Sequence, residues 1–122
     1  MAGVLIDADV LIEILRGDLS LVERVAHAAA DGPACISVLT AAELRAGARG
    51  DDAAIDSLIA DFEVVPVDLA SAEQGGRYRR TFSATHGTGL IDAILAATAQ
   101  SRGLALVTNN SRHFPMEGLV LA

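Results

Sequence analysis

Short apolar runs that alternate with helix-forming stretches constrain this chain more than any other feature. Val4-Leu5-Ile6, Ala34 to Val38, Phe62-Glu-Val-Val-Pro66-Val and Leu104 to Val107 read as strands, with Leu119 to Leu121 as a short fifth. Strands separated by helices pair in parallel, because each crossover returns the chain to the edge where the previous strand began. The expected fold class is α/β: three α/β/α layers around a central parallel sheet of four to five strands. Only 3% of residues are aromatic although 52% are hydrophobic, which suits helices packed on a Val/Ile/Leu sheet. With 122 residues, the span 1–122 is expected to be a single domain whose core needs no disulfide.

Local signals place the helices. Val10, Leu11, Ile12, Ile14 and Leu15 have helical spacing and stop at Arg16-Gly17-Asp18; Leu21, Val22, Val25, Ala26 and Ala29 form a second stripe that stops at Asp31-Gly32-Pro33. Thr40 to Ala48 is rich in helix formers, as is Ala53 to Ala60, which opens after Asp51-Asp52. Pro66 marks an edge strand or a strand end. Asp68 to Ala84 reads as a long, partly exposed helix with Gly75-Gly76 as its weak point. His86 to Gly89 reads as a loop, and Leu90 to Ser101 as a helix closed by Gly103.

Composition narrows the function classes. Cys35 is the only cysteine and sits in an apolar run, so it reads as a buried side chain in a reducing compartment. No signal-peptide pattern opens the chain, and charges break every apolar stretch well short of the roughly 20 residues of a membrane span. A cytoplasmic protein that does not enter a membrane is expected. The net charge of −7 argues against simple electrostatic capture of nucleic acid. All nine basic residues are arginine, so any mechanism that needs a lysine is excluded.

In parallel sheets, ligands bind beyond the carboxyl ends of the strands, where strand order reverses. That rule gathers Asp7-Ala-Asp9, Ser37 to Glu43, Gly89 to Asp92 and Thr108-Asn109-Asn110 at one rim. Each acid has an ordinary reading as well. Asp9 could cap the first helix, Glu43 could pair with Arg45 or Arg49, and Asp92 could complement a helix dipole. Thr108 and Asn110 are common turn residues, and His27, His86 and His113 show no metal-ligand spacing. Together, however, converging carboxylates raise one another's pKa unless a cation neutralises them. A hard divalent cation fits: Mg²⁺, with Mn²⁺ as a substitute, takes oxygen ligands and keeps positions open for a substrate.

Asp7-Ala-Asp9-Val-Leu-Ile, Ile36 to Ala48, Leu90-Ile-Asp92-Ala and Val107-Thr-Asn-Asn110-Ser-Arg-His-Phe114, in this order, resemble the successive motifs of PIN-domain ribonucleases, specifically the VapC toxins of prokaryotic toxin–antitoxin pairs. The resemblance spans essentially the whole chain. It implies a PIN-like fold and a catalytic set of Asp7, Glu43, Asp92 and Asn110. Asp7 and Asp92 would be direct Mg²⁺ ligands and Glu43 a partly water-mediated one, with Asp9, Ser37 and Thr108 in support. It further implies an endoribonuclease toxin that cleaves single-stranded RNA with a metal-activated water, forms a homodimer and is inhibited by a cognate VapB-type antitoxin. Two positions depart from the family pattern: Ala8 stands where Thr is common, and Asn110 where an acid is frequent, so one negative charge is missing.

Arg112, close to the fourth-strand rim, and Arg77, Arg79 and Arg80 on the long helix are candidate RNA contacts; a solvated helix face explains the last three equally well. Two rival readings belong to other classes. Ile6-Asp7-Ala-Asp9 also resembles haloacid-dehalogenase-type phosphatases, but the acidic pair they need near Asp92 is missing, as is any lysine. A catalytically inactive PIN-like module that binds RNA or a partner is the non-enzyme alternative.

Overall fold

The computed structural model describes residues 3–50 and 52–122. Ten regular elements follow one another in the order β1 (Val4–Ile6), α1 (Ala8–Leu15), α2 (Leu19–Ala28), β2 (Ala34–Ser37), α3 (Val38–Ala46), α4 (Asp52–Ala60), β3 (Glu63–Val65), α5 (Leu69–His86), α6 (Leu90–Arg102) and β4 (Ala105–Val107). A single 3₁₀ turn, Ser111–His113, comes after β4. The sheet has four strands in the order β3-β2-β1-β4, and every pairing is parallel. The chain builds outward from β1 through β2 to β3, then crosses back to lay β4 on the other side of β1. Strand order therefore reverses between β1 and β4.

Period-two alternation in the strands sets the three layers. Val4, Ile6, Ile36 and Val107 pack with Val10, Leu11, Val25, Leu44 and Ile55 of α1 to α4. Leu5, Cys35, Val65 and Leu106, the alternate residues, pack with Leu95, Ala96 and Ala99 of α6, and Tyr78 and Phe82 of α5 lie against them. Cys35 is buried, as its apolar neighbours suggested. No helix among the described residues is long and apolar enough to cross a membrane.

Several element bounds differ from expectation. Helix α3 begins at Val38 and not inside the run that follows it, because the Ser37 hydroxyl accepts the Leu39 amide at 3.0 Å and ends β2 there. β3 is only Glu63–Val65; it is the edge strand, with Pro66 immediately after it. Helix α5 runs on to His86, where Gly87 takes the left-handed conformation at φ 67° that ends it. Leu119 to Leu121 contributes a single parallel bridge, Leu121 to Leu106, in place of a fifth strand. Asp51, half of the acidic pair expected to open α4, lies outside the described residues.

Gly75 is a close-approach point and not a weakness. A Cβ there would stand 2.5 Å from Ile94 Cγ1 and 2.8 Å from its Cα. Only glycine lets α5 press this closely on α6. Gly76, one residue on, faces open space.

Candidate active site

Asp7 is the first residue after β1, at the point where strand order reverses. Its amide donates to Val107 O at 2.9 Å, which locks it to the end of β4. Its side chain is only 5% exposed, and Thr108 Oγ1 donates to Asp7 Oδ2 at 2.8 Å. Burial pushes the Asp7 carboxyl up from 3.8 to about 7. The charges of Asp9 and Asp92 add to the rise, and the Thr108 hydroxyl and the Ala8 amide oppose it.

Asp9 lies in the first turn of α1 and does not cap it; the N-cap position belongs to Asp7, whose side chain makes no capping bond. Asp9 turns to the β4 rim instead, where its Oδ2 accepts the Asn109 amide at 3.1 Å and Asn110 Nδ2 at 2.9 Å. Thr108 Oγ1 also accepts the Asn110 amide at 3.0 Å. One hydroxyl thereby ties Asp7 to the turn that carries Asn110.

Glu43 is half-buried on α3, and its pKa is raised, first by burial and then by Asp92 and Asp9. It does not pair with Arg45, which spans to Asp52 at 2.9 Å and to Asp56. Asp92 sits in the first turn of α6; its Oδ2 accepts the Gly89 amide at 3.2 Å and lies 3.4 Å from His113 Nδ1. Asp7, Asp9, Glu43 and Asp92, carried by four separate segments, thus act on one another electrostatically at one rim. Ser37 is fully buried and its oxygen serves the α3 cap. Arg112 is exposed beside this rim, and Arg77, Arg79 and Arg80 are exposed on α5. Arg77 Nε donates to Gln74 at 3.1 Å.

Two neighbours escaped the sequence reading. Arg24 on α2 donates to Thr108 O at 2.9 Å and to Asn109 Oδ1 at 2.8 Å, holding the rim turn from 84 residues away. His113 reaches Asp92 across a similarly non-local path. Neither has a local signal, because each partner is distant in sequence.

The donor set at the rim is all oxygen, the preference of a hard divalent cation. Among the described residues no three His, Cys, Asp or Glu side chains are positioned to hold a metal between them. The arrangement therefore suits a cation held by one or two carboxylates with water completing its shell, the usual state of protein-bound Mg²⁺. Two buried side-chain polar atoms among the described residues make no hydrogen bond, Asp9 Oδ1 and Thr40 Oγ1. Both belong to helices that carry site acids, and Thr40 stands one turn before Glu43.

Beside Glu43, a groove of about 610 Å³ opens between α1, α3 and α4, with Ile12, Leu15, Leu44 and Ile55 among its lining and Arg16 and Arg49 at its margins.

Comparison with known proteins gives a consistent result. The sequence model described as PIN domain matches residues 4–116. Ribonuclease VapC10 of Mycobacterium tuberculosis (strain H37Rv) is 39% identical over 115 residues, covering 93% of this chain and 86% of the relative. The tRNA(fMet)-specific endonuclease VapC of Shigella flexneri is 34% identical over 94 residues, 71% of each chain. Among solved structures, DNA-bound VapBC from Salmonella typhimurium superposes with a TM-score of 0.81 at 27% identity, covering 100% of this chain and 98% of the other. A toxin–antitoxin complex from Klebsiella pneumoniae gives 0.81 at 25% identity, covering 98% and 97%.

Proposed function

Because the chain belongs to the PIN-domain family, and within it to the VapC ribonucleases, we propose that it is a divalent-metal-dependent endoribonuclease toxin acting on single-stranded RNA. The carrying observation is Asp7, a carboxylate placed where burial and neighbouring acids both penalise its charge. A fold gains nothing from such a group on its own account, whereas a cation at the rim reverses the penalty. Mg²⁺ or Mn²⁺ bound there would polarise a phosphate oxygen and supply a reactive water at neutral pH.

The chain's residues divide the remaining work. Asp7 and Asp92 are the anionic ligands; Thr108 holds Asp7 in place, and the Gly89 amide and His113 hold Asp92. Glu43, poised by its raised pKa to hold or release a proton near neutrality, takes up the proton of the attacking water. Asn110 offers its amide to the substrate side of the turn, and Arg112 a cation to the RNA backbone.

Relatives of this fold were solved as complexes with antitoxins. A VapB-type partner that lays an apolar segment in the groove beside Glu43 and an arginine over the carboxylates would block substrate by charge complementarity. An inhibited complex with Asp7 and Asp92 still open to solvent would contradict this. We further propose a homodimer in the cytoplasm as the active form.

RNA cleavage in millimolar Mg²⁺, with Asp7→Asn and chelator as controls, tests the enzyme reading. Cleavage is expected only for the parent protein with metal, leaving 5′-phosphate and 3′-hydroxyl ends. Products with 2′,3′-cyclic phosphate would show that the RNA's own 2′-hydroxyl attacks and would overturn the water mechanism.

A further inference from the structure

Asn110 leaves the rim one negative charge short, and the structure shows where that charge has gone. Asp9 accepts the side-chain amide of Asn110 at 2.9 Å, so the two are direct neighbours across the β1 and β4 ends. We propose that Asp9 supplies the fourth anionic group of the metal site in exchange for Asn110, acting on the cation directly or through one water. The proposal rests on the metal-nuclease reading of the rim and deepens it.

Three observations carry it. Asp9 Oδ2 is fully engaged by Asn109 and Asn110, whereas its Oδ1 is buried without a partner. A buried carboxylate oxygen left without a hydrogen bond is costly and rare in a native structure, and a hydrated cation satisfies it. Secondly, the Asp9 charge acts on both Asp7 and Glu43, so it belongs electrostatically to the same cluster. Thirdly, the competing structural role is ruled out: Asp9 does not cap α1, and no arginine pairs with it among the described residues. The geometry also explains why the neutral residue at 110 is asparagine. Its amide donates to Asp9 and fixes that carboxylate, which a second aspartate could not do.

Titration calorimetry of Mn²⁺ into the metal-free full chain tests the exchange, with folding checked by circular dichroism. Asp9→Asn keeps an oxygen that can accept from Asn109 while losing the charge, and its Mn²⁺ affinity is expected to fall by at least about tenfold. The transposed variant, Asp9→Asn with Asn110→Asp, is expected to regain most of the parent affinity. Affinity within twofold of the parent for Asp9→Asn, or a transposed variant no tighter than Asp9→Asn, overturns the proposal. Asp7→Asn separates the two levels: if it also binds Mn²⁺ like the parent, the metal-site reading fails, and if it alone loses binding, only the role of Asp9 fails. Should Asp9→Asn not fold, the anomalous signal of Mn²⁺ in crystals of the parent protein decides. An ion within one water of Asp9 Oδ1 supports the exchange, and an ion held by Asp7 and Asp92 with Asp9 farther away refutes it.

Discussion

At the scale of single residues, Asp7 links the candidate site to stability. It ionises near 3.8 in the unfolded chain and at about 7 in the folded one, mainly because folding buries it. Between those values the folded state holds a proton that the unfolded state has lost, so metal-free stability falls as pH rises from about 4 to 7 and levels off above. For one isolated group the loss amounts to roughly 4 kcal/mol at most. Asp7→Asn removes that slope and should be at least as stable as the parent at pH 8 in chelator. Thermal melts of both proteins at pH 5 and pH 8 check this; a parent equally stable at both values contradicts it. Thr108 works in the opposite sense, since its hydroxyl favours the Asp7 anion. Thr108→Val should cost about 1–2 kcal/mol and shift the metal-dependent activity profile to higher pH.

Among elements, the α5–α6 contact and the α2–β4 tie decide how firmly the rim is held. Gly75→Ala would gain helix propensity of about 1 kcal/mol but drive a methyl into the backbone of Ile94, where no flexible side chain can yield. A net loss of about 1–3 kcal/mol is expected, together with displacement of the α6 turn that carries Asp92. Gly76→Ala meets nothing and should stabilise by about 0.5–1 kcal/mol, so chemical denaturation of the pair tests the packing directly. Arg24 ties α2 to the turn after β4 through Thr108 O and Asn109 Oδ1. Arg24→Met should lower stability by about 1 kcal/mol, speed amide exchange at residues 108–110 and reduce cleavage without touching a carboxylate. Unchanged exchange there would show that the turn holds its shape without Arg24.

For the whole molecule, the acidic rim makes stability depend on metal. A cation that binds only the folded state raises stability by mass action, about 2.7 kcal/mol at a hundred times its Kd. For a chain of this length that corresponds to roughly 10 °C in Tm. The parent protein should show this rise on adding Mg²⁺, and Asp7→Asn should lose most of it. Because the Asp7 proton must leave before the cation enters, Mg²⁺ affinity should increase from pH 6 to pH 8.

The sequence by itself determined the layer architecture and the rim. Period-two runs such as Val4-Leu5-Ile6 already divide their side chains between two helix layers, and strands separated by helices admit little but a parallel sheet. The placement of Asp7, Glu43, Asp92 and Thr108 near one another followed from that topology, because each lies at or just beyond a strand end or opens a helix there. What remained for the tertiary structure were the contacts between segments far apart in the chain. Arg24 with Thr108, His113 with Asp92 and Asp9 with Asn110 are set by how helices dock on the sheet, and no local propensity encodes them. Gly75 shows the same division: its helix-breaking tendency is local and legible, but the Ile94 backbone that demands it arrives only when α6 packs. Local sequence specifies the elements because torsional preference and periodicity act over a few residues, whereas site geometry depends on contacts across roughly a hundred residues that form only once the layers close.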